Sequence, residues 1–129
     1  MTTRTDPPPR LIRALQAGAL YDWILGLVIL AAHPAIFRLF QTPPPADLFL
    51  FRMNALALFL LGLFYWALAA NPTGWRWTTR LAINIRFLGG LFLLGLTAFH
   101  RPEGWPTYMA FGLADIAWGT LWLVLLSRQ

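Results

Sequence analysis

Residues 11–32 read LIRALQAGALYDWILGLVILAA, and what this stretch is decides the fold. It holds 22 residues, where a helix rising about 1.5 Å per residue needs roughly 20 to cross about 30 Å of hydrocarbon. Three further apolar runs follow at 48–70, 81–99 and 107–126, with 23, 19 and 20 residues. Backbone amides in lipid must bond within their own segment, and no run alternates as a membrane β-barrel strand does, so each is expected to be a spanning helix.

Between the runs lie Thr42-Pro43-Pro44-Pro45, Asn71-Pro72-Thr73-Gly74 and Arg101-Pro102-Glu103-Gly104, all helix-breaking combinations. Short connections place consecutive helices side by side and antiparallel. The expected fold is all-α: an integral membrane four-helix bundle, up-down-up-down, over residues 11–129. Residues 1–10, with Pro7-Pro8-Pro9, are expected to form a polar, extended N-terminal tail.

The whole chain agrees with its runs. Of 129 residues, 58% are hydrophobic, 16% aromatic and 12% charged, with a mean hydropathy of +0.58; a soluble domain carries about twice that charge, so a soluble enzyme is disfavoured. Cysteine is absent, which removes thiolate metal sites, iron–sulfur clusters and cysteine nucleophiles together. All ten basic residues are arginine. They gather at the ends of the apolar runs, where they orient helices rather than contact nucleic acid. With the N-terminus inside, Arg4, Arg10, Arg13, Arg76, Arg80 and Arg128 flank the cytoplasmic side, against Arg38 and Arg101 outside. Both termini are therefore expected in the cytoplasm, in the inner membrane of a bacterium.

Four charges fall inside the runs: Asp22, Arg52, Arg86 and Asp115. Each costs roughly 2.5–3.5 kcal/mol at a helix centre, so they are expected to point inward and pair. From the helical rise, Asp22 and Asp115 lie within about 2 Å of their span midpoints, Arg86 about 6 Å towards the cytoplasm and Arg52 about 10 Å outward. Snorkelling can close much of such an offset. Arg52 has three candidate partners: an aspartate of the cluster, the outer headgroups, or Asp47. Gly18, Asp22 and Gly26 share one face of the first helix, Gly112, Asp115 and Gly119 one face of the last, and Arg86, Gly90, Leu93 and Thr97 a stripe of the third. Three roles stay open for the charges: structural ion pairs that fix helix register, a proton- or cation-coupled transport site, or a surface completed by another membrane subunit. Asn54 and Asn84, near the starts of their spans, are candidates for cross-helix bonds.

His33 and His100 end the first and third runs. Two such histidines at one level suit a haem or metal, but a histidine at a helix end is also explained by carbonyl and dipole interactions. No metal or cofactor is expected, with quinone or haem kept as alternatives. Tyr21, Trp23, Tyr65, Trp66, Tyr108 and Trp118, with Phe64 and Trp122, are candidates for lining a pocket for a planar apolar molecule. Leu58-Phe59-Leu60-Leu61-Gly62-Leu63 recurs at 91–96, an identity that a chain so rich in leucine produces readily.

Through Tyr21-Asp22-Trp23 with Gly26, Arg52 with Asn54, Gly62 with Tyr65, Arg86 with Gly89, and Gly112 with Asp115, the chain resembles small uncharacterised bacterial four-helix membrane proteins. It also looks loosely like the DoxX family, which includes oxidoreductase-associated membrane subunits, although no acidic residue stands in the second run where that family carries one. Small multidrug transporters are similar in having four helices and an acid in the first, the place of Asp22. These resemblances imply architecture first. No nucleophile–base constellation is present, so a non-enzymatic role is expected: a bundle binding a small apolar ligand or lipid, or an accessory subunit of a membrane complex. A proton-coupled transporter using Asp22 and Asp115, and a quinone- or haem-binding redox subunit, are the alternatives. The expected partners are the bilayer and another subunit or a second copy, with no nucleic acid.

Overall fold

The computed structural model describes residues 9–128. The chain forms helices α1 (Pro9–Ala31), α2 (His33–Leu39), α3 (Leu48–Leu68), α4 (Arg76–His100) and α5 (Trp105–Ser127). Four of them, α1, α3, α4 and α5, are long and apolar enough to cross a membrane. Large apolar side chains such as Ile24, Leu60, Leu88 and Leu113 point outward from these helices, as they do where lipid is the solvent.

Several boundaries differ from the sequence expectation. Pro9 and Arg10 belong to α1 rather than to a tail, because proline in a first turn sacrifices no hydrogen bond; the rest of the expected tail lies outside the described residues. His33-Pro34 does end α1, yet the same proline seeds α2, a helix of 7 residues that the apolar runs did not reveal. Its Ile36 and Phe37 are buried, and Phe37 packs on Phe51 of α3 with ring centroids 5.2 Å apart. α4 starts at Arg76, five residues before the apolar run, and Thr79 Oγ1 lies within hydrogen-bond distance of the Pro72 (2.7 Å) and Trp75 (3.1 Å) carbonyls, its one proton shared between them.

α1 packs closely on α3, and α4 on α5; the two pairs join through α1 and α5, while α3 and α4 barely touch. Along each close pair residue numbers rise on one helix as they fall on the other. Trp23 Nε1 donates to the Phe59 carbonyl at 3.2 Å, and Ile29 sits in one apolar cluster with Phe51. Gly90 and Gly112 bring the α4 and α5 backbones together: a Cβ on Gly90 would stand 2.7 Å from the Gly112 carbonyl oxygen. Apolar packing is split into two cores. One gathers Leu11, Leu15, Tyr65, Ile83, Trp122 and Leu126 near the chain termini; the other gathers Ile29, Ile36, Phe37, Phe51 and Ala55 at the opposite end. Asp22, Arg86 and Asp115 meet beside the first core, with Arg86 against its Tyr65 and Trp122.

Candidate functional site

Arg86 joins three helices. Its Nη2 donates to Asp22 Oδ2 of α1 and its Nη1 to Asp115 Oδ1 of α5, both at 2.6 Å. The side chains of Arg86 and Asp22 are 2% and 0% exposed, that of Asp115 23%. The guanidinium also rests on aromatic faces, its Cζ 4.7 Å from the Tyr65 ring centroid and 5.3 Å from that of Trp122. Glycines make this meeting possible. Gly18 leaves room for the Trp122 indole, whose Nε1 donates to the Ala14 carbonyl at 3.0 Å, and Gly119 lies against the Arg86 and Phe87 side chains.

All three charged residues sit near the middle of their helices. Because α4 starts at Arg76, its midpoint is residue 88, and Arg86 lies only about 3 Å from it rather than the about 6 Å expected from the shorter run.

The fourth charge stands apart. Arg52 is exposed and enters neither ion pair, and Asp47, one of its candidate partners, instead caps α3 by accepting from the Leu50 amide at 3.1 Å. The inward stripe of α3 is Phe51, Ala55, Gly62 and Tyr65. Arg52, one residue past Phe51, is turned about 100° away from it. The formal balance of two acids and two arginines therefore does not hold at the triad: one guanidinium against two carboxylates leaves 1 − 2 = −1.

A cavity of about 170 Å³ adjoins this excess. Asp115, Tyr21, Tyr108, Asn54, Phe51 and Phe111 contribute to its lining, with aliphatic side chains from α1, α3 and α4 completing it. The lining residues Asn54 and Ala57 are exposed, so the cavity reaches the surface along α3. Among the described residues, Asp115 Oδ2 and the Tyr21 and Tyr108 hydroxyls make no hydrogen bond, and Asn54 uses only its Nδ2, towards the Leu50 carbonyl of its own helix at 3.4 Å. Deeper in the bundle Asp22 Oδ1, Arg86 Nε and Tyr65 Oη are buried without a partner among the described residues.

The aromatic candidates do not form one pocket. Tyr21 and Tyr108 line the cavity, and Trp118 backs Tyr21 at 5.9 Å between centroids. Tyr65 and Trp122 pair at 4.8 Å beneath Arg86, with Phe64 against Tyr65, while Trp23 and Trp66 pack together at 5.6 Å elsewhere on α1 and α3. Phe51 and Phe111 were missed as lining residues. Their signal was available: each is an aromatic on the helix face that also carries an inward small or polar residue, Ala55 and Asp115 respectively. His33 meets Phe51 edge-on at 6.3 Å with its Nδ1 buried, and His100 is exposed at the last residue of α4. Among the described residues no three His, Cys, Asp or Glu side chains cluster as metal ligands do. No family model, curated protein or solved structure matches the chain.

Proposed function

We propose that this chain is a bacterial inner-membrane protein, up-down-up-down with both termini cytoplasmic, that binds a small amphiphile from the bilayer in the cavity beside Asp115. The observation that carries the proposal is the cavity itself: apolar over most of its wall, with the polar residues Asp115, Tyr21, Tyr108 and Asn54 in its lining, and reaching the surface along α3. Concave, mostly apolar sites with a few convergent polar groups are the usual form of small-molecule sites. A volume of about 170 Å³ is close to the roughly 150 Å³ cavity known to hold benzene, so the bound part has the size of one substituted ring. Such a molecule reaches the mouth laterally from the acyl chains.

Neopentylbenzene, titrated into the protein in detergent micelles, tests this reading. Saturable elevation of the unfolding temperature is expected for the natural chain. It should vanish in Ala57→Phe, which places a ring at the cavity from an exposed lining position, each protein's shift being read against its own ligand-free unfolding temperature. An equal or non-saturable elevation in both proteins overturns the proposal.

A further inference from the structure

We infer that the ligand of this cavity is a lipophilic monocation, an ammonium or comparable centre carried on an apolar ring, with Asp115 as its counter-ion. The inference rests on the binding reading above and extends it to a chemical class. Three observations converge on it. The triad carries one formal negative charge more than positive, and Arg52, which would cancel it, is on the outside of α3. Of the two carboxylates, Asp115 is the one that lines the cavity, and its Oδ2 has no hydrogen bond among the described residues. No basic residue lines the cavity, and four aromatic rings, Tyr21, Phe51, Tyr108 and Phe111, do.

A charge in a low-dielectric interior needs a counter-charge within a few ångströms. Arg86 is already shared between both acids and cannot supply a second unit. A quaternary ammonium beside Asp115 supplies it, has no N–H groups to satisfy, and gains from the negative faces of the surrounding rings. Anions are excluded by the same carboxylate. Neutral molecules of equal shape fill the space but leave the excess uncompensated.

Benzyltrimethylammonium and neopentylbenzene differ only by nitrogen for carbon at the quaternary centre, so the pair isolates the charge. Dissociation constants for both are measured against the natural chain and Asp115→Asn; comparing the two proteins cancels partition into the micelle. The natural chain is expected to favour the ammonium by about tenfold more than the variant does, with neopentylbenzene binding alike to both. If both probes bind and their ratio is the same in the two proteins, a proton serves as the counter-charge and the cation assignment fails while the cavity reading stands. If neither probe binds the natural chain, the cavity reading fails as well. Should Asp115→Asn not fold, phenylmethanesulfonate, an anion of similar shape, decides on the natural chain alone: no saturable shift of the unfolding temperature is expected from it, and a shift equal to that of the ammonium overturns the inference.

Discussion

At the scale of single residues, the triad obeys an asymmetry between its members. Arg86 is the sole positive charge serving two acids, so Arg86→Met leaves both carboxylates uncompensated and is expected to cost about 3–5 kcal/mol. Asp115→Asn leaves the Asp22–Arg86 pair intact, formally neutral and still hydrogen-bonded, and costs less. Unfolding of the purified variants in mild detergent measures both. Since an apolar or neutral replacement of a whole buried ion group is often tolerated, Arg86→Met combined with Asp22→Asn and Asp115→Asn is expected to be more stable than Arg86→Met alone. Strictly additive losses across that series would show that the three side chains do not act as a unit.

At the scale of helices, the glycines divide by what surrounds them. Gly90 faces the Gly112 carbonyl, a backbone atom that cannot rotate away, so Gly90→Ala forces α4 and α5 apart and is expected to destabilise by about 1–3 kcal/mol. Gly95, with nothing within 4 Å of an added Cβ, is expected to tolerate alanine or gain up to about 1 kcal/mol from its higher helix propensity. Thermal unfolding of the two variants side by side checks the contrast. These close approaches were legible in the sequence because glycine at three- and four-residue spacing marks one helix face, and that face also held Asp22, Asp115 and Arg86. α2 was not legible. It is too short to show a period, and His33-Pro34 reads equally as the end of one helix or the first turn of another. The place of Arg52 was not legible, because helical rise gives depth but not azimuth; only the burial of Phe51, one residue earlier, sets Arg52 about 100° away from the bundle interior. The cavity was hidden for a related reason, since its wall takes residues from four helices that only the folded chain brings together.

For the whole molecule, the proposed orientation, with both termini cytoplasmic, rests on the exposed arginines and is open to direct measurement. Arg10 and Arg13 at the start of α1, Arg76 and Arg80 at the start of α4, and Arg128 after α5 share the end at which the termini-side core lies. Arg38, Arg52 and Arg101 occupy the other. Five exposed arginines against three predict that the first group stays on the cytoplasmic side, because positive charge close to span ends resists translocation. The α4–α5 connection, which contains exposed Glu103, then faces outward, and exposed Ser127 at the end of α5 faces the cytoplasm. The absence of native cysteine makes this directly measurable. In intact bacterial cells stripped of their outer membrane, an impermeant maleimide is expected to label Glu103→Cys and to reach Ser127→Cys only after the membrane is permeabilised. The reverse pattern would mean that the arginine excess lies outside. The cavity mouth would then lie nearer the cytoplasmic leaflet, because Asn54 and Ala57 belong to the half of α3 nearest Arg38 and Arg101, so the same labelling result fixes which leaflet delivers the ligand.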